Sequence, residues 1–298
     1  MKTLKKIAIV IPIHLYPFDV QGNLELNEKI EMYNISLKYM RNLYPNCTII
    51  LCGHGEKKIE TFNQYVDLIL WSDEYILPDK YGLFKNNPAQ YKIVSMGCKK
   101  ALNLKCTHII KTRGDGIIYN SKQVLEDIKN NPEKLWITQQ TSFSCPMMGD
   151  CFMYGPASLI EGIWSMDRNP TSKDGLINTA MAFMDYIGMS VDSYNKAIFK
   201  YCEYRDIPEL EIYDLRWNFK KFSHEFLKGT FVNKSRFYWG GVNRWIIYKK
   251  DKIHRFDRNI FYTKNLFYSK FVRFIENRSD IKIKFLFYPI YKIINYYF

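Results

Sequence analysis

The chain has 298 residues, a net charge of +13, 47% hydrophobic and 16% aromatic residues. With only 15 Gly and 11 Pro, that composition excludes a collagenous, linker-like or disordered polymer and suits one globular unit with a single core. The seven cysteines are odd in number and form no Cys-x-x-Cys pair, which argues against a structural zinc site or a disulfide scaffold and for reduced, buried thiols of the cytosol.

The run Ile7–Ile13 (IAIVIPI) is apolar on both faces, as a buried strand of a parallel sheet is. It is too short, and lacks the small-residue cleavage site, for a signal peptide. Asn27–Leu43 has helical spacing, with Ile30, Tyr33, Leu37 and Met40 on one stripe, and Pro45-Asn46 ends it. Cys47–Cys52 predicts a second strand, Ile59–Tyr65 a short helix and Val66–Trp71 a third strand. Ala89–Leu102 predicts a helix with Ile93, Val94, Gly97 and Ala101 inward. Thr107–Thr112 predicts a fourth strand that runs into Arg113-Gly114-Asp115-Gly116. Strands at Lys134–Thr138 and Asp150–Tyr154 and helices at Leu176–Ile187 and Asp192–Tyr204 follow. Strands alternating with helices imply right-handed crossovers and an α/β fold with a mostly parallel sheet.

No stretch reaches the roughly 18 apolar residues that span a bilayer. From Lys249 to Phe298, twelve Lys or Arg face four Asp or Glu, a net of +8, which leaves +5 for the preceding residues. We therefore expect one domain over 1–245 and a basic, aromatic extension over 246–298. In 261–298 basic residues alternate with Phe, Tyr and Ile, which suits an anionic membrane interface; an ordinary helical pair covering the core would show the same pattern. No RNA-binding module accompanies it, so nucleic acid is not an expected partner.

In open α/β sheets ligands bind beyond the carboxyl ends of the strands. Polar residues stand there at Pro12–His14, Trp71–Asp73, Lys111–Asp115 and Met148–Asp150. The segment KTRGDG (111–116) is the sharpest: two phosphates need a carboxylate-held divalent cation or cationic side chains. Asp115 is placed to hold a metal, and Lys111 and Arg113 to face a diphosphate. Asp115 capping a turn is the plain alternative. Pro12, His14 and Asp73 are candidate contacts to a nucleotide base or ribose.

The block NNPAQYKIVSMGCKKALNLKCTHIIKTRGD (86–115) resembles the signature of the WavE-type lipopolysaccharide-synthesis glycosyltransferases, through Asn87, Gln90, Gly97, Ala101, Lys111, Arg113 and Asp115. MGDCFMYG (148–155) resembles that family's later segment through Asp150, Phe152, Tyr154 and Gly155. The resemblance implies a GT-A fold, a nucleotide-sugar donor bound partly by Asn87 and Gln90, and Mn²⁺ or Mg²⁺. One departure matters: Arg113-Gly114-Asp115 stands where GT-A enzymes commonly carry Asp-x-Asp, so one carboxylate is exchanged for a cation.

An inverting transfer needs a carboxylate to accept the proton of the acceptor hydroxyl. Asp150 is the first candidate, then Asp192 and Glu203. Asp192 would equally serve as a helix N-cap, and Glu203 as a surface partner of Arg205. The expected protein is a cytoplasmic glycosyltransferase, peripheral on the inner face of a membrane, that moves a sugar onto a glycan or lipid-linked glycan. A non-catalytic carbohydrate-binding or membrane-peripheral scaffold with the same fold is the rival reading.

Overall fold

The computed structural model describes residues 6–15, 24–56, 59–72, 86–138, 148–165, 175–190, 193–205 and 207–216. The expected extension at 246–298, Asp73 and Asp192 lie outside them.

The order begins β1 (Ile7–Leu15), α1 (Leu26–Leu43), β2 (Thr48–Gly55), a 3-10 turn at Ile59–Phe62, β3 (Leu68–Ser72) and α2 (Asn86–Asn103). It continues with β4 (His108–Lys111), β5 (Gly116–Ile118), α3 (Ser121–Asn130), β6 (Leu135–Ile137), β7 (Met153–Pro156) and α4 (Ala157–Trp164). It closes with α5 (Gly175–Tyr186), α6 (Tyr194–Tyr201), β8 (Cys202–Tyr204), α7 (Ile207–Leu210) and β9 (Ile212–Asp214). Seven strands form one sheet in the order β3-β2-β1-β4-β7-β6-β8, and β5 pairs with β9 in a small second sheet. β3, β2, β1 and β4 are parallel, β7 runs antiparallel to β4 and β6, and β8 is parallel to β6. The fold is α/β, a mostly parallel sheet flanked by helices, as the alternation of patterns predicted.

Burial on both faces explains the unbroken apolar strands. Ile9, Ile11 and Ile13 pack into one core with Met32, Leu37 and Met40 of α1; Ala8 and Val10 pack into the other with Val94, Cys98 and Ala101 of α2. Six cysteines among the described residues are buried free thiols. No helix there is long and apolar enough to cross a membrane.

One expected helix is corrected. Asp192–Tyr204 is helical only over Tyr194–Tyr201, and Cys202–Tyr204 is strand β8 on the sheet edge. Leu135, Trp136 and Ile137 of β6 pair with those three residues, so ladder hydrogen bonds outweigh the local helical pattern.

Gly97 sets how closely α2 sits on the sheet. A Cβ there would stand 2.5 Å from Cys52 Sγ and 2.6 Å from Val10 Cγ1. Gly97→Ala should therefore destabilise the fold by about 1–3 kcal/mol in urea unfolding through overpacking. This opposes the roughly 1 kcal/mol that alanine adds to a helix. A variant as stable as the parent would contradict this seating of α2.

Candidate functional site

Chain order puts β2 on one side of β1 and β4 on the other, so the crossover direction reverses between β1 and β4. At such a switch point the loops diverge and a crevice opens beyond the strand ends. Pro12 marks it. Its carbonyl accepts from Gly114 N at 3.0 Å, on the β4 side. Nitrogen and carbonyl of one strand residue point to the same edge, so the missing N–H also faces β4, past the last regular β1–β4 pair, Val10↔Lys111. A proline is thereby tolerated in a central strand.

The turn after β4 is shaped by Gly114. A Cβ there would collide with Ile13 and lie 2.9 Å from the Tyr33 ring. Only glycine lets the turn lie down on β1 and α1, and its two neighbours then form a fork. Arg113 donates from Nε to Asp115 Oδ1 at 3.0 Å and from Nη2 to Oδ2 at 2.9 Å. Arg216 Nε lies 2.9 Å from the same Oδ2. Arg216 also donates to Asp214, at 3.3 Å from Nε and 3.1 Å from Nη2. The result is a chain of alternating charge, Arg113–Asp115–Arg216–Asp214.

The second sheet assembles it. Gly116 pairs with Asp214, and Leu215 N donates to Asp115 O at 2.9 Å, so a segment a hundred positions away lands on the turn. Helix α1 anchors that sheet, with Ser36 Oγ donating to Gly116 O and Tyr44 OH to Ile118 O. Burial alone would raise the Asp115 carboxyl, but Arg113 and Arg216 outweigh it and hold it at about 2. Asp214 is raised, chiefly by burial.

Beside this chain, His14 at the end of β1 is in register with His54 of β2. His14 Nδ1 and His54 Nε2 are 3.2 Å apart. Burial, His54 and Arg113 lower His14 to about 3; burial and Lys92 lower His54 to about 4. A neutral pair has one donor and one acceptor across the gap, whereas protonating both would set two donors face to face.

Lys111 and Asp150 meet differently from the sequence pattern. Lys111 is fully buried, and Nζ donates to the carbonyls of Asp150 and, at 3.3 Å, Cys151, 4.4 Å above the Trp164 ring. Burial lowers its pKa to about 8. The lysine thus clamps the Asp150 turn from beneath. Asp150 itself is half-buried; its Oδ1 lies 3.2 Å from Cys151 Sγ, which in turn lies 3.8 Å from Arg113 Nη1. The structure therefore brings Pro12, His14, Lys111, Arg113, Asp115 and Asp150 to one end of the sheet.

The remaining candidates separate. Gln90 is half-buried on α2, and Asn87 lies in that helix's first turn, its side chain outside the described residues. Trp71 packs over Gly53 and donates from Nε1 to Gly55 O at 3.3 Å, closing the end of β2. Glu203 is on edge strand β8, three strands from β4, or roughly 14 Å at ordinary strand spacing. Its expected partner Arg205 instead pairs with buried Asp127, at 2.6 and 2.8 Å, and with Glu209 at 3.9 Å.

Sequence reading missed Asp214 and Arg216. Asp-Leu-Arg at 214–216 reverses the charge order of Arg-Gly-Asp at 113–115, which was the available signal. The cation expected at Asp115 does not fit the described residues around it. Both oxygens already accept from guanidiniums, and among the described residues no three His, Cys, Asp or Glu converge as a cation site.

No protein-family model and no curated protein matches the chain. Solved structures do. A Desulfovibrio desulfuricans G20 protein named as a nucleotide-diphospho-sugar transferase aligns at 8% identity and TM-score 0.41, over 68% of this chain and 80% of its own. The 4-diphosphocytidyl-2C-methyl-D-erythritol synthase of Anaerococcus prevotii aligns at 12% and 0.41, over 68% and 87%. A glycosyltransferase involved in glycosylating the major capsid of PBCV-1 aligns at 6% and 0.38, over 75% and 91%.

The histidine pair generates a pH dependence. Both folded-state values lie below the ordinary 6.5, so the unfolded chain binds more protons as pH falls from 6.5 towards 4. Stability should drop in that window by about 1.4 kcal/mol per pH unit for each histidine. Urea unfolding at pH 7 and pH 5 measures it. His14→Asn should remove one proton's share of the slope, and an unchanged slope would refute the assignment.

Proposed function

We propose that the chain is a nucleotide-sugar-dependent glycosyltransferase of the GT-A kind, a hexosyl- or pentosyltransferase acting with inversion on a hydroxyl of a surface glycan: lipopolysaccharide, capsule or glycoprotein glycan. The observation that carries this reading is the pair of guanidiniums, Arg113 and Arg216, fixed at the switch point of a mostly parallel sheet. The resemblance of 86–115 and 148–155 to the WavE-type enzymes supports it.

A guanidinium fork matches phosphate oxygens as well as carboxylate oxygens, and its charge persists at any physiological pH. Held before the donor arrives, it stabilises the negative charge that grows on the leaving diphosphate without reorganising. Asp150 accepts the proton of the acceptor hydroxyl, and the oxygen attacks the anomeric carbon. The bond to the diphosphate oxygen breaks, and the nucleoside diphosphate leaves with that electron pair. Lys111 holds the Asp150 turn at the height of Arg113. Pro12 and His14 line the side of the crevice where base or ribose lies. The acceptor is lipid-linked at the inner face of a membrane, which the basic, aromatic residues 261–298 meet.

The test is turnover. The protein is incubated with UDP-, GDP-, dTDP- and CMP-sugars and nucleotide release is measured. One donor class should be consumed. Arg113→Gln should cost on the order of 100-fold in kcat/KM. Asp150→Asn should lower kcat by about 100-fold or more with KM little changed. If no donor is consumed and none raises Tm, the proposal is wrong.

A further inference from the structure

A metal-bridged donor would require a carboxylate able to turn its oxygens to a cation. Asp115 Oδ1 and Oδ2 instead accept from three guanidinium nitrogens of Arg113 and Arg216 at 2.9–3.0 Å. A divalent ion bound at about 2.1 Å from either oxygen would stand against both guanidiniums. The neighbouring carboxylate, Asp214, is engaged in the same way: its Oδ1 also accepts from Arg216 N at 3.0 Å. The facing nitrogens of His14 and His54 are turned on each other.

The charges around the turn are shared. Arg113 and Arg216 act on Asp115, Asp150 acts on Arg113, and Arg113 and Lys29 act on His14, so both guanidiniums stand among three carboxylates, Asp115, Asp150 and Asp214. Each guanidinium has five N–H donors; Arg113 directs Nε and Nη2 to Asp115 and Nη1 towards Cys151, and Arg216 divides its own between Asp115 and Asp214. Asp115 and Asp214 hold both arginines in place, so little side-chain freedom is left to lose when an anion docks.

We infer that Arg113 and Arg216 grip the donor's diphosphate directly, with no divalent cation between protein and phosphate, and that Asp115 is a positioning residue that aims the two guanidiniums. The inference rests on the transferase reading above and names how its donor is held. Arg216 takes the part that a metal takes where two carboxylates flank the site.

The experiment is calorimetric titration of the full chain with UDP, GDP and dTDP, and with CMP as single-phosphate comparator, in EDTA and in Mn²⁺. One nucleoside diphosphate should bind in EDTA, within about threefold of its affinity in Mn²⁺, and more tightly than CMP. Arg216→Gln should weaken it at least about tenfold, the scale of one charge-assisted hydrogen bond. Arg216→Lys keeps the charge and should recover part of the loss; it also serves if the glutamine variant fails to fold. Asp115→Asn should weaken binding equally in EDTA and in Mn²⁺. Binding that appears only with Mn²⁺, or is unchanged in Arg216→Lys and Arg216→Gln, overturns the inference and leaves the transferase reading standing. If no nucleotide binds under either condition, both fall.

Discussion

Asp115 sits with 7% of its side chain exposed between two guanidiniums, and the architecture around it is organised to permit that. A carboxylate withdrawn from water loses several kcal/mol of hydration unless its oxygens are fully hydrogen-bonded and its charge is matched. One arginine comes from the same turn, two residues away. The other arrives only because β5 and β9 pair, and β9 follows α7 from the far side of the sheet. The small sheet therefore does more than cover α1. It delivers a cation to a buried anion, and that cation needs Asp214 beside it for the same reason.

Glycine at 114 is the second constraint, and it acts through space rather than charge. The turn must approach Ile13 and Tyr33 more closely than any side chain allows. Its flanking residues then point together and not apart, so Arg113 forks onto Asp115 at a separation of only two residues. The sequence pattern places Arg-Gly-Asp as the turn that closes a strand. In the fold it is a pinned corner on which a strand, a helix and a second sheet meet.

The parallel half of the sheet was legible because its causes are local. Ile7–Ile13 is apolar on both faces, Cys47–Cys52, Val66–Trp71 and Thr107–Thr112 each carry a short apolar run, and the helices between them have one apolar stripe. Burial of β1 between α1 and α2 follows from those patterns. The rest depends on partners that a sequence does not display. β5, β8 and β9 are three residues each, too short for a period to show, and are stabilised by pairing. Lys111 looked like a phosphate ligand because it ends a strand beside Arg113. Its ammonium is taken up instead by the carbonyls of Asp150 and Cys151, in the turn that leads into the antiparallel strand β7. Arg205 looked like a neighbour for Glu203, yet α3 brings buried Asp127 within 2.6 Å of it, with the Tyr154 hydroxyl on the same carboxylate at 2.7 Å. In each case charge was visible and its partner was not.

The two buried carboxylate clusters separate structure from function. Asp127 lies among Arg205, Tyr154 and Gln123, with the Arg205 guanidinium 4.9 Å from the Trp136 ring centre and Trp136 stacked on Tyr154. It ties α3 to the antiparallel strands, away from the end of β1. The Asp115 cluster also pairs carboxylates with arginines but stands where β1 and β4 part, next to Pro12 and His14. Arginines of both clusters keep about a fifth of their side chains exposed. What distinguishes the second is place, because its guanidiniums stand at the end of β4, where the crossover direction reverses. A carboxylate pair braces two cations there, and under the proposed reading Asp115 keeps both guanidiniums aimed while a diphosphate docks. For that reason the identity of residue 216 matters as much to the site as the Arg-Gly-Asp turn itself.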